Sequence, residues 1–232
     1  MVYAGGLTAD VGMPWEIYRV SHLTPDGRLV DVYTKSGGIP GYASMVLLLP
    51  EYDVGATILV SSDEEYEPSV VLVDVVLETL IPQLESLARG QAAARYAGSY
   101  FGASRDGYGT NSTGATLILS IDDGHGLRIT EWTNNGKSIL DVLASERSTK
   151  SGNIEARLYP VGEADRWHMI VEGPPSEGSS SDLPSGMCKA WFRVDTMRYA
   201  SLSFEEFVFQ DGKDGVTGVL NPGLRQSLTK RY

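Results

Sequence analysis

Cysteine is almost missing from this chain of 232 residues: Cys188 stands alone, so no intramolecular disulfide is possible. Basic charge is scarce too. Nineteen Lys and Arg face 30 Asp and Glu, giving a net charge of -11, which argues against the clustered cationic surface that nucleic-acid binding requires. No apolar run approaches the roughly 20 residues that cross a bilayer, since the longest, around Val70 to Ile81, is broken by Asp74 and Glu78. Met1 to Val11 has neither a basic start nor an apolar centre, so no secretory signal and no membrane partner are expected, which favours a cytoplasmic location. His22, His125 and His168 are too scattered for a zinc set. In Asp211-Gly212-Lys213-Asp214-Gly215 a lysine falls where a calcium loop needs an oxygen. The acidic run Asp63, Glu64, Glu65 and Glu67 reads as charge complementing a helix N-terminus. No metal and no cofactor is expected.

What is present suggests two regions. In the first, Glu16 to His22 and Arg28 to Thr34 alternate around Thr24-Pro25-Asp26-Gly27, a hairpin turn in which Pro pre-sets φ and Gly accepts a positive one. A second hairpin, Ser44 to Leu49 and Ala56 to Ser61, is apolar at nearly every position, which predicts strands covered on both faces. The cover is predicted over Pro68 to Ala94, where Val71, Val75, Leu77, Ile81, Leu84 and Leu87 recur at helical spacing. Pro82 should divide that helix into two pieces.

From Arg95 the pattern turns to short alternating segments. Thr116 to Ile121, Leu127 to Trp132, Ile154 to Pro160, Trp167 to Glu172, Met187 to Val194, Glu205 to Gln210 and Val216 to Leu220 read as strands, with turn signals at Asp122-Asp123-Gly124 and Asn134-Asn135-Gly136. Such spacing indicates a barrel or a sandwich, with Glu172 to Gly186 as a long loop inside it. The aromatics concentrated here, among them Tyr96, Tyr100, Trp132, Trp167, Phe207 and Phe209, suit a plain core or an apolar pocket, and a core is the simpler account. The expected class is therefore α+β, with residues 1–94 an antiparallel sheet under a helix and residues 95–232 an all-β barrel or sandwich domain.

The most informative stretch is Tyr33 to Ser44. It sets Lys35-Ser36-Gly37 at the end of an alternating strand and follows it with Gly38 and Pro40-Gly41. An ammonium, a hydroxyl and exposed backbone amides at one strand end suit a carboxylate or a developing oxyanion. The bare triplet is weak, since Lys150-Ser151-Gly152 repeats it inside a polar stretch, and only the setting distinguishes the first copy.

With its strand setting, Lys35-Ser36-Gly37 resembles the Lys-(Ser/Thr)-Gly motif of the penicillin-binding and β-lactamase-type serine enzymes. The segments Gly12 to Arg19 and Val46 to Ser62 resemble the neighbouring strands of fungal β-lactamase-related serine hydrolases, and Arg95 to Tyr100 and Cys188 to Asp195 resemble their extra C-terminal, lipocalin-like β-domain. The resemblance implies a partial β-lactamase-like region over residues 1–94. It further implies that Lys35 supplies positive potential, Ser36 hydrogen-bonds a substrate, the Gly38 N–H serves as an oxyanion donor, and Tyr33 and Tyr42 shape the site.

The departure from that family is large. Its nucleophilic Ser-x-x-Lys comes far upstream of the Lys-(Ser/Thr)-Gly strand, and only Met1 to Thr34 precede the strand here. Ser227-Leu228-Thr229-Lys230 matches the pattern but follows Asn221-Pro222-Gly223 near the C-terminus, where fraying is expected; Ser151-Gly152-Asn153 matches Ser-x-Asn within the polar stretch. No catalytic residue is assigned. Three readings follow: the C-terminal part of a serine hydrolase or acyltransferase, whose cleft a partner chain or second subunit would complete; a small apolar-ligand binder; or a non-hydrolytic cyclase or isomerase of fungal specialised metabolism. All three imply a small-molecule substrate or ligand.

Overall fold

A computed structural model of the chain describes residues 2–3, 9–61, 68–105, 111–147, 149–162, 165–172, 197–213 and 215–231. The chain divides into two compact units, residues 1–90 and 91–232. In the first, β1 (Val2–Tyr3), β2 (Ala9–Gly12), β3 (Trp15–Val20), β4 (Val30–Ile39), β5 (Tyr42–Leu49) and β6 (Val54–Ser61) form an antiparallel sheet in sequence order. The predicted turn is formed: the Gly27 N–H donates to the Thr24 carbonyl at 3.0 Å and Gly27 has φ 70°. One face of the sheet carries Val30, Val32, Met45, Leu47 and Leu49, and Val73, Leu77 and Ile81 of the helix α1 (Pro68–Tyr96) share their core.

Three expectations for this unit are overturned. The helix is continuous through Pro82. Proline deprives the Glu78 carbonyl of its usual donor, but Glu78 is exposed, so water can satisfy that oxygen. Val71 and Val75 face solvent; the buried stripe is Val73, Leu77 and Ile81, an i, i+4, i+8 row shifted from the expected one. The hairpin of β5 and β6 is not buried on both faces: the face opposite α1 is half-buried at Ser44, Val46 and Leu48 of β5, and β6 alternates half-buried and exposed along its whole length. The acidic run at Asp63 to Glu67 lies outside the described residues.

Arg28 ties the unit together. It donates to Glu51, to the Tyr52 hydroxyl at 2.9 Å and to Glu85 Oε1 of α1 at 2.6 Å. The Tyr52 hydroxyl donates to the same Glu85 oxygen at 2.7 Å. Burial, reinforced by that carboxylate, pushes the Tyr52 pKa up, so the phenol stays protonated and remains a donor.

The second unit contains β7 (Gly98–Arg105), β8 (Asn111–Ser120), β9 (Leu127–Asn134), β10 (Lys137–Ser138), the helix α2 (Ile139–Glu146), β11 (Glu155–Pro160), β12 (Arg166–Glu172), β13 (Arg198–Tyr199), β14 (Leu202–Ser203), β15 (Glu206–Gly212), β16 (Gly215–Asn221) and β17 (Gln226–Arg231). Pairing runs β9-β11-β12-β15-β16-β17-β7-β8 and returns to β9, so eight strands close into a barrel and the sandwich alternative is excluded. Inward positions are apolar in the expected alternation, as in Ala115, Leu117 and Leu119 of β8, and one cluster unites Tyr100, Trp132, Leu158, Met169, Phe207 and Phe209. α2 begins at Ser138, whose Oγ accepts from the Asp141 N–H at 3.1 Å, and adds Ile139, Leu143 and Ala144 to that core. The strand expected over Met187 to Val194 and the loop from 173 to 186 lie outside the described residues.

On β11, Arg157 is almost fully buried and clamps the turn after β8. Its two terminal nitrogens donate to Asp122 Oδ1 and Oδ2, each at 2.8 Å, and its Nε donates to Glu155 at 3.0 Å. These bonds, Arg157 foremost, hold the Asp122 carboxyl down to about 2. A carboxyl depressed in the folded state stabilises above its unfolded pKa near 4 and loses that contribution as pH falls toward 2. Arg157→Met should cost about 2 kcal/mol at neutral pH and flatten the pH dependence of the urea midpoint between about 4 and 2. A midpoint and pH profile matching wild type would disprove the clamp.

Candidate functional site at the end of the Lys-Ser-Gly strand

The site arises from a mismatch in strand length. β3 stops pairing with β4 at Glu16 opposite Thr34, whereas β4 continues beside β5 from Tyr33 opposite Leu48 to Ile39 opposite Tyr42. Among the described residues, Lys35 to Ile39 are therefore paired on one side only, and they form an exposed ledge. The ledge ends in the two-residue turn Pro40-Gly41, with Gly41 at φ 83°, a conformation open to glycine. In an antiparallel ladder that starts from such a turn, bonded and non-bonded pairs alternate from Ile39 inward. Ser36 and Gly38 thus turn their backbone N–H and C=O away from β5, toward the side that β3 has vacated. A Cβ at Gly37 would lie 2.9 Å from Ser44 Oγ, which itself donates to the Gly37 carbonyl at 3.0 Å, so a larger residue there would have to turn the Ser44 hydroxyl away.

Lys35 and Ser36 have opposite parity on the strand, yet both reach a common acceptor. Lys35 Nζ donates to Glu16 Oε1 at 2.8 Å and to the Ser36 carbonyl at 3.0 Å; Ser36 Oγ donates to the same Glu16 oxygen at 3.1 Å. The hydrogen bond from Lys35, with a smaller one from Ser36, holds the Glu16 carboxyl below the usual carboxylate range against the opposing effect of burial. Glu16 is itself fixed by the β3–β4 ladder, and its carbonyl accepts from Thr34 Oγ1 at 3.2 Å. Glu16 belongs to no local motif, and only the β3–β4 register brings it to the ledge.

The two tyrosines do not gather here equally. Tyr33 follows the strand alternation onto the Lys35 face. Tyr42 lies opposite Ile39, six residues further along and so about 20 Å away at the usual strand rise. It is exposed beside Ile39 and near Leu59, at 62%, 69% and 77% accessibility, and these three form an apolar patch on the face opposite α1. On the helix-covered face a cavity of about 200 Å³ is lined by Tyr18, Val20, Val32, Thr34, Met45 and Val73, among others.

The look-alike motifs resolve differently. Ser227 to Lys230 belong to β17, paired with β16 on one side and β7 on the other, so the expected fraying is absent. Ser227 is exposed while Lys230 is buried on the opposite face, its Nζ donating to the Arg95 carbonyl at 2.8 Å. Residues three apart on a strand cannot meet as they do on a helix. Ser151 to Asn153 form a short 3-10 turn. Among the described residues no group of three or more His, Cys, Asp or Glu is placed to hold a metal ion, and no helix is long and apolar enough to cross a membrane.

The family model described as "Beta-lactamase-like-like, C-terminal domain" matches residues 88–232. The chain belongs to this family. A beta-lactamase-like protein of Arthroderma benhamiae is 29% identical over 252 residues, which cover 97% of this chain and 42% of that protein. The probable hydrolase clz13 of Cochliobolus lunatus is 30% identical over 98% of this chain and 38% of its own length. The probable hydrolase M10 of a Phoma species is 30% identical over 98% of this chain and 40% of its own length. The chain thus spans about two-fifths of the length of the curated relatives it matches. The octameric penicillin-binding protein homologue from Pyrococcus abyssi matches with a TM-score of 0.29 and 13% identity over 100% of this chain and 38% of that one, a likeness too slight to bear on the fold.

Proposed function

We propose that this chain is the C-terminal part of a β-lactamase-related serine hydrolase or acyltransferase, in which the first unit supplies the substrate-binding strand and the nucleophile belongs to sequence outside these residues. The observation that carries the reading is the ledge at Lys35 to Ile39: a strand end unpaired on one side, with an ammonium, a hydroxyl and outward backbone groups at Ser36 and Gly38. Such a ledge accepts an extended acyl substrate by strand-like pairing, while Lys35 attracts its negative end. The Gly38 N–H is the oxyanion donor of this reading, and Tyr33 flanks Lys35. With no serine facing a lysine across a helical turn among the described residues, these groups bind and polarise but do not acylate.

The exposed apolar patch at Ile39, Tyr42 and Leu59 supports a further element of the proposal, that a partner chain or second subunit carrying the nucleophile completes the cleft. Reading the chain as an apolar-ligand binder through its barrel is less well supported, because a buried cluster of Tyr100, Trp132, Leu158, Met169, Phe207 and Phe209 packs inside the barrel.

Two measurements test the proposal. The isolated chain should resist labelling by a fluorophosphonate or a β-lactam, and stoichiometric labelling lost in Ser227→Ala would overturn it. Lys35→Ala should weaken a small carboxylate ligand by about 1 kcal/mol, the scale of an exposed charged contact, and leave its neutral amide analogue unchanged. Equal calorimetric affinities for the carboxylate in both proteins would remove the strand from any role in binding.

A further inference from the structure

We propose that Glu16 is a built-in occupant of the anion position on the ledge, so that a carboxylate ligand binds only by displacing it. This rests on reading the ledge as a ligand site. One oxygen, Glu16 Oε1, takes the hydrogen bonds of both Lys35 Nζ and Ser36 Oγ, the two side-chain donors that the ledge would offer a ligand. Glu16 is the last β3 residue paired with β4, so its carboxylate stands where the ladder ends and the ledge begins. The arginines of this unit's β3–β4 hairpin are engaged elsewhere, Arg19 with Asp31 and Arg28 with Glu51 and Glu85, so they do not draw Glu16 away.

The arrangement is displaceable. The Lys35 and Glu16 side chains retain 47% and 33% of their exposure, so water reaches both and the pair is weak enough to open. An incoming carboxylate replaces like with like on Lys35 and Ser36, whereas a neutral ligand offers no charge to compensate the ammonium that Glu16 would leave. Glu16 therefore competes with every carboxylate for these two donors and lowers its affinity, while a neutral ligand, which does not replace the charge on Lys35, is indifferent to it. Removing its charge should raise carboxylate affinity, the reverse of what removing Lys35 does.

The test is a titration of the full chain with benzoate and with benzamide, followed by NMR, in wild type, Glu16→Gln, Glu16→Ala and Lys35→Ala. Glu16→Gln and Glu16→Ala should each bind benzoate about three- to tenfold more tightly than wild type, with benzamide unchanged. Benzoate affinity that is equal or weaker in both Glu16 variants, while Lys35→Ala still loses binding, would overturn the displacement role and leave the ledge intact as a site. Benzoate binding that ignores Lys35 in every protein would overturn both. Spectra with wild-type dispersion identify folded variants, and having two substitutions at Glu16 guards against a defect peculiar to one.

Discussion

Trp132→Ala is expected to lower the stability of the barrel by about 4 kcal/mol. Trp132 is fully buried on β9, with its ring 5.2 Å from that of Phe207, and its indole N–H donates to Gln226 Oε1 at 2.9 Å. Truncating a buried tryptophan costs about 3 to 5 kcal/mol through lost transfer and the cavity left behind. Here a second loss adds to the first. Gln226 is itself buried on β17, and its amide nitrogen donates to the Thr133 carbonyl at 3.1 Å, so the side chain is held in place and cannot swing out to find water. Its oxygen would be left unpaired, which costs about 1 to 3 kcal/mol. Trp132→Phe separates the two contributions, because it retains most of the ring and deletes only the donor; it should lose about 2 kcal/mol. Urea unfolding followed by far-ultraviolet circular dichroism reads both values. A loss below about 1 kcal/mol for the alanine variant would show that the interior tolerates a void there, and that the aromatic cluster does not hold the barrel together.

Gln226 also explains what the sequence concealed. β17 escaped notice because its inward positions read Gln226, Leu228 and Lys230, a polar pattern that hydrophobic alternation misses, although each polar group is satisfied by a specific partner, Trp132 or the Arg95 carbonyl. β7 was missed because Gly98 to Arg105 mixes small and polar residues with its aromatics. Where apolar alternation was clean, as in β9, β11, β12 and β16, the strands fall where expected to within two residues.

The candidate site was half legible. Lys35, Ser36 and the glycine turn stand out as a local motif, but Glu16 becomes their neighbour only through the β3–β4 register. Counting outward from the turn Thr24 to Gly27 places Glu16 opposite Lys35, one residue from its actual partner Thr34, so the pairing was within reach of a register argument. Burial of both faces of β5 and β6 could not be judged this way. Their apolar content is real, but apolar composition alone does not say whether a strand's second face is buried.

Gly102→Ala should destabilise the barrel by about 3 kcal/mol by prising apart the strands that join its two ends in sequence. β7 opens the unit and β17 closes the chain, and their pairing puts Gly102 opposite Leu228. A Cβ at position 102 would lie 2.1 Å from the Ser227 carbonyl oxygen and 3.1 Å from the Leu228 Cα, both backbone atoms that no rotamer change can move. Relief requires a shift of about 1 Å between the strands, and forced backbone displacement in a packed region costs about 1 to 3 kcal/mol or more. The penalty is steric and not conformational, since Gly102 does not occupy the positive-φ region that glycine alone tolerates. Gly152→Ala provides the control, because a Cβ there meets nothing within 4 Å and the backbone again does not require glycine. The two variants add the same methyl group to the same protein and differ only in what it strikes. Hydrogen exchange should localise the damage in Gly102→Ala, with amides of β7 and β17 losing protection before those of β11 and β12. Equal urea midpoints for the two variants would mean that the strands part without cost, and that the barrel does not depend on closure between β7 and β17.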